Sequence, residues 1–352
     1  MTPWTSARSR AGRSTTRWLV GGNAALLALA GVLLALLLAQ PPTQPEADTA
    51  NALGAQALDH VEDYPADAPP GSMASLREVT WFIPSTADAR YDMPRGYDYG
   101  CEQNQEHAEA LRCDFGDQDG DVTVAMVGDS KILQWQSAVA TLAHENSWHV
   151  LSYTKSNCGL HAGLQTNHGQ PYRSCQEWNE QVMTDLLDDP PDVVLVSSYM
   201  SRALDPPTDQ QESEAAMTDA LAAQWRILEQ AGIAVVVILD NPSPDGDSVY
   251  ECAAAHLQEL SACAFDRAGG IARSGQSVQL AAAALVPQVH TVDLTDDICP
   301  EEMCVPVIGN VLIYRQGSHL TDAYIRTLTP ALGRELVPIM TEVTGQHHPD
   351  DD

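Results

Sequence analysis

From Val122 to Val337 the chain repeats one pattern, a short apolar run followed by a longer stretch with helical periodicity. The runs are Val122–Val127, Trp148–Tyr153, Asp192–Ser197 (DVVLVS), Ile233–Leu239 (IAVVVIL) and Val289–Leu294. Between and after them, helices are predicted over Ile132–Ala143, Cys175–Leu187, Gln211–Ala231, Gln276–Leu285 and Leu320–Val337. The runs are continuously apolar rather than alternating, so each strand is buried on both faces. Such strands, alternating with helices, predict an α/β domain with a mostly parallel sheet covered on both sides. Ligands of such sheets sit beyond the carboxyl ends of the strands. That places Ser130, Ser156–Gly159, Ser197–Ser201, Asp240–Ser243 and Tyr314–Tyr324 around one crevice.

The first run ends in Gly128-Asp129-Ser130. Asp and Ser are favoured helix caps, so this triplet fits a plain βα turn. It equally presents a serine at a helix N-terminus, where backbone N–H groups favour a developing oxyanion. Asp129 reads as support for the turn.

The regions outside this core have their own character. Residues 1–17 form a basic tail, and the first 40 residues hold four arginines and no acid. Residues 18–39 are 22 uncharged residues, a length that spans roughly 33 Å, about one bilayer core. They read as a transmembrane signal-anchor with the N-terminus in the cytoplasm and the bulk of the chain outside. A cleaved signal peptide is the alternative. Residues 40–75, rich in Pro, Ala and acid, read as an extended linker. Residues 76–344 form the folded domain, with an irregular start carrying Trp81, Phe82, Tyr91, Tyr97 and Tyr99. Residues 345–352, with His347 and His348, read as a disordered acidic tail.

The whole chain carries a net charge of -30, which repels nucleic acid and argues against such a partner. Eight cysteines fit an exported protein. Neighbour pairing is the simplest arrangement: Cys101 with Cys113, Cys158 with Cys175, Cys252 with Cys263, Cys299 with Cys304. No C-x-x-C or zinc-finger spacing accompanies them. Asp117, Asp119 and Asp121 alternate around Gly120 as in a calcium loop, but the glutamate that closes such a loop is missing. A solvent-facing turn is expected there. Trp135 and Trp178 fall at helical spacing among apolar neighbours and read as core. Lys155, one of two lysines in the chain with Lys131, reads as a solvated loop residue, a backbone or substrate contact being the alternative.

VGDS after a strand, YTKSNC, CQEWN, PDVVLVSS, ICPEEMC and YRQGSHLT follow one another in the order of a known family. From about Cys101 to Leu336 the chain resembles the SGNH hydrolase domains fused to, or found beside, membrane acyltransferases of the acyltransferase-3 type. The resemblance implies a three-layer α/β/α fold with a doubly wound, flavodoxin-like sheet. It also implies cleavage or transfer of acyl groups, usually acetyl, on carbohydrates or other esters. Ser130 then matches the nucleophile and His319 the base. A serine hydroxyl needs such a base, and a neutral imidazole suits the task near pH 7. Where the family has Asp in D-x-x-H, this chain has Gln316. A neutral amide orients an imidazole without stabilising its charged form. A Ser–His dyad, a substitute carboxylate (Asp322 or Asp293) and lost chemistry all remain open. The family's G-x-N-D block is missing; candidate oxyanion donors are the Ser130 N–H, Asn157 and Ser198.

These readings imply an envelope-anchored esterase or O-acyltransferase acting on a polysaccharide or glycan ester, with a membrane acyltransferase as partner and no cofactor or metal. A non-catalytic protein that binds an envelope glycan or a partner acyltransferase is the competing class.

Overall fold

The computed structural model describes residues 51–199, 209–246 and 248–345. The apolar stretch 18–39 and most of the acidic tail lie outside them. Among the described residues no helix is long and apolar enough to cross a membrane.

Seven strands form the central sheet: β1 (Glu102–Gln103), β2 (Arg112–Gly116), β3 (Val122–Gly128), β4 (Trp148–Lys155), β5 (Val193–Ser197), β6 (Ala234–Ile238) and β7 (His290–Val292). Their order is β1-β4-β3-β5-β6-β7, all parallel, while β2 runs antiparallel along β4. After β1 and β2, which both pair with β4 at one edge, the chain enters the middle of the sheet with β3, steps out to β4, then crosses back to β5 on the other side. The reversal lies between β3 and β5, and a crevice opens at that point in doubly wound sheets.

The pleat sends alternate residues of β3 into two separate cores. Val122, Val124 and Met126 join one, with Trp135, Val139 and Leu142 of the helix after β3. Ala125 and Val127 join the other, with Trp178, Val182, Trp225, Leu228 and Val278. Helices α3 (Arg173–Asp188), α4 (Gln210–Gln230) and α5 (Gln276–Ala284) thus cover one face. Helices α2 (Gln136–Glu145) and α7 (Thr329–Thr344) cover the other. Trp135 and Trp178 are fully buried.

Several boundaries differ from expectation. The predicted helix 132–143 is two pieces, a single turn α1 (Ser130–Leu133) and then α2. The predicted helix 320–337 starts later, because Thr321 caps α6 (Asp322–Thr327) by accepting from Tyr324 N–H. The segment expected as linker up to 75 is packed on the domain from Gly54. A 3-10 stretch over Gly54–Asp63 buries Ala55 and Ala57, and Gly54 N–H donates to Gly309 O at 2.9 Å. The short strand β1 lies inside the stretch expected to be irregular, Leu76 to Cys113, and β2 begins at its end. Asp117 accepts from Asp119 N–H at 3.1 Å in a tight turn before β3.

Four disulfides join sequence neighbours: Cys101–Cys113, Cys158–Cys175, Cys252–Cys263 and Cys299–Cys304. The first ties β1 to β2, and the second pins the loop after β4 to α3.

Gly128 closes β3 at φ 149°, and a Cβ built on it would stand 2.4 Å from the Ser197 carbonyl oxygen. Only glycine lets β3 and β5 approach this closely at the switch point. Gly128→Ala is expected to lower unfolding free energy by about 1–3 kcal/mol through local strain. Urea titration checks this, and a loss below about 0.5 kcal/mol would mean that the turn relaxes freely.

Candidate active site

In the turn after β3, different residues supply the helix cap and the contact with His319. Asp129 is the cap: its Oδ1 accepts from Lys131 N–H at 2.8 Å and its Oδ2 from Tyr199 N–H at 3.0 Å. Burial pushes its carboxyl up to about 6, against those two hydrogen bonds. With the cap supplied by Asp129, the Ser130 hydroxyl is left to meet His319. Ser130 Oγ lies 2.7 Å from His319 Nε2.

His319 sits in a tight turn. Its N–H reaches Gln316 O, Gly317 takes φ 61°, and Arg315 N–H donates to His319 O at 2.9 Å. His319 Nδ1 lies 3.1 Å from the same Gln316 carbonyl. A carbonyl only accepts, so Nδ1 carries the proton and the Nε2 lone pair faces the serine hydroxyl. This is the tautomer a base needs. Among the described residues no carboxylate contacts the ring. Asp322 is bonded to Ser137 and Arg326, at 2.5 and 2.8 Å. Asp293 accepts from Thr295 N–H at 2.9 Å. Burial, and then the cations of Lys131 and Arg315, push His319 down to about 3. Its imidazole is neutral through the physiological range.

A buried polar knot fixes this turn. Lys131 is fully buried, and its Nζ reaches Asp240 Oδ1 at 2.9 Å, Asn241 Oδ1 at 2.9 Å and Ser318 O at 2.8 Å. Asn241 Nδ2 also donates to Ser318 O, at 2.9 Å. Gln134 donates to Asn241 Oδ1 at 3.0 Å and accepts from Leu320 N–H at 3.1 Å. The helix bearing the serine, the loop after β6 and the histidine turn are thereby one unit.

Ser130 and His319 open into a cavity of about 620 Å³ lined also by Tyr97, Glu102, Ser156, Asn157, Tyr199 and Arg315. Burial and then the nearby Asp129 push the Glu102 carboxyl up to about 7, against the opposing cations of Arg315 and Lys155.

A family model for the SGNH domain (fused to AT3 domains) matches residues 100–334. The chain belongs to this family. No curated protein sequence matches it. Among solved structures, the SGNH domain is similar to the periplasmic domain of a lipopolysaccharide acetyltransferase from Salmonella ser. Paratyphi A. That match has a TM-score of 0.47 and 16% identity, and covers 63% of this chain and 85% of that one. A second similar structure is a GDSL-like lipase from Bacteroides thetaiotaomicron, with a TM-score of 0.38, 11% identity and coverage of 62% and 88%.

Of the residues singled out in the sequence of this SGNH domain, Ser130, His319, Gln316 and Asn157 meet at the cavity. Asn157, at φ 54°, donates its side-chain amide to Asn167 at 2.9 Å. Ser198 lies beside Gly159 and its carbonyl accepts from the Gln279 side-chain amide at 3.2 Å, while among the described residues of that loop Tyr199 lines the cavity. Lys155 is not solvated. It is fully buried, with Nζ donating to the carbonyls of Asn104 at 2.5 Å and His107 at 2.6 Å. Those carbonyls belong to the loop that the Cys101–Cys113 disulfide closes, which no local pattern places over β4. Glu102 carried no sequence signal; Asp240, Asn241 and Arg315 fall in the segments expected around the crevice, although nothing marked them individually.

Two outcomes follow from these charges. Lys131→Met leaves Asp240 buried without its cation and is expected to cost about 3–5 kcal/mol. Adding Asp240→Asn removes the stranded charge while keeping an acceptor for Gly275 N–H, which Asp240 Oδ2 holds at 2.8 Å. Chemical denaturation should show recovery of half or more of the loss; equal instability of single and double variants would rule the ion pair out as the cause. Glu102 is a carboxyl whose folded value, about 7, exceeds its ordinary 4.5. Its contribution to stability is complete below pH 4.5 and is lost as pH rises through 7. Glu102→Gln should therefore stabilise the protein at pH 8 by about 1–2 kcal/mol, allowing for solvent screening, and leave it unchanged at pH 4. Thermal melts at the two pH values decide; a gain that does not depend on pH would refute the assignment.

Proposed function

We propose that this SGNH domain is an extracytoplasmic serine esterase or O-acyltransferase that removes or transfers O-acyl (most simply O-acetyl) groups on a cell-envelope carbohydrate. The reading is carried by one observation, the 2.7 Å contact between Ser130 Oγ and the unprotonated face of His319 in an open cavity. Ser130 Oγ attacks the ester carbonyl carbon as its proton passes to His319 Nε2. The tetrahedral adduct collapses to an acyl-serine, and the proton leaves with the departing alcohol. Water or a sugar hydroxyl then repeats the steps in reverse. The Ser130 N–H, at a helix start, and Asn157 are the proposed oxyanion donors.

Membership of a family fused to AT3 domains supports a membrane acyltransferase as the source of acyl groups. Residues 18–39 would anchor the chain with residues 1–17 in the cytoplasm, and residues 76–344 would act outside.

Gln316 defines the orienting element of this dyad. Its side chain is exposed, and its main-chain carbonyl holds Nδ1. Gln316→Ala should therefore keep labelling by a serine-reactive fluorophosphonate within about threefold of wild type, whereas Ser130→Ala should abolish it. A drop of a hundredfold in Gln316→Ala would show that the amide itself is needed. A folded wild-type protein that takes no label favours the second reading, a glycan-binding member of the family, for which the missing carboxylate behind His319 is the supporting observation.

A further inference from the structure

The cavity holds more polar chemistry than a serine and a histidine use. Glu102 lines it from the short strand β1, and among the described residues no hydrogen bond offsets the burial of its carboxyl. Arg315 lines it too, 4% exposed, with Nε on Leu320 O at 3.2 Å and Nη2 without a hydrogen-bond partner among the described residues. Its guanidinium carbon lies 5.7 Å from the Tyr97 ring centre, and that ring is on the cavity as well. A second hollow of about 530 Å³, lined by Asn104, Gln105 and Glu106, shares Glu102 and Ser156 with the first. The two hollows thus adjoin along one groove-like surface, with Glu102 and Ser156 between them.

An acceptor, a donor and an aromatic wall in one cavity suit a ligand that offers hydroxyls at its rim and C–H groups on its face. A guanidinium alone would suit an anion. Here the acidic side chain of Glu106 lines the groove beside Glu102, and the chain carries a net charge of -30. That field disfavours an acidic polymer.

We infer that the groove binds a neutral oligosaccharide of at least two sugar units, with neighbouring hydroxyls of the first on Glu102 and Arg315 against Tyr97, and the next unit in the hollow of Asn104 and Gln105. The inference rests on the proposed function only for where the reacting ester sits; the binding is independent of catalysis.

The test uses Ser130→Ala protein, which cannot turn over an ester. It is applied to an array of neutral, uronate-bearing and sialylated oligosaccharides, and the strongest neutral binder is then titrated calorimetrically. Retention of neutral glycans of two or more units is expected, with affinity reduced at least tenfold by a further Glu102→Gln. Arg315→Lys should do the same wherever its melt shows a folded protein. Retention of acidic glycans alone, retention of none, or affinity untouched by Glu102→Gln overturns the inference. Fluorophosphonate labelling of the Ser130 protein reports separately on the enzyme reading. Label without glycan binding removes this inference alone, and binding without label removes the enzyme alone.

Discussion

One buried ammonium group holds the candidate site together. Lys131 follows the serine directly, and its chain runs inward to Asp240, Asn241 and the Ser318 carbonyl. These partners come from the end of β6 and from the turn that carries His319. A charge so buried is tolerated only when fully paired and hydrogen-bonded. The requirement works in both directions: the three segments satisfy the ammonium, and the ammonium fixes their spacing. The same cation also bears on the base. Lys131 and Arg315 both disfavour a protonated His319, so the device that aims the imidazole also keeps its lone pair free. Proton acceptance from Ser130 would be correspondingly uphill, and among the described residues no carboxylate contacts the ring to offset it.

The sequence pattern D-x-x-H describes a side chain, whereas the geometry here uses a main-chain oxygen. Gln316 O takes both the His319 backbone N–H and the ring Nδ1. A tight turn with glycine at its left-handed position makes that double acceptance possible. Residue identity at 316 therefore says little about ring orientation and much about charge. The tautomer is retained, and the electrostatic help is not.

The legible parts of the fold were those with local causes. Continuous apolar runs marked β3, β5 and β6 because burial on both faces leaves no alternation. Gly128 and Asp129 were legible as a turn, since one relieves a clash with Ser197 and the other caps the next helix. The parts that escaped depend on long-range encounters. Lys155 looked like a loop residue because the carbonyls that bury it lie about fifty positions earlier in the chain. Asp322, three residues from His319, looked like a substitute acid, yet helix α6 turns it toward Ser137 and Arg326. Glu102 carried no motif at all; its place in the groove comes from the parallel pairing of β1 with the far end of β4.

The two lysines have one further consequence. They are the only lysines in the chain, and both are fully buried with their amines engaged. Every exposed cationic side chain on the described surface is an arginine or a histidine. The folded domain thus offers no side-chain amine to acylating reagents or amine-directed crosslinkers. Such chemistry reaches Lys131 or Lys155 only when the region around it opens. Amine modification of these two residues is therefore a clock for local opening at two places, one beside the serine and one beneath the loop that carries Asn104 and His107.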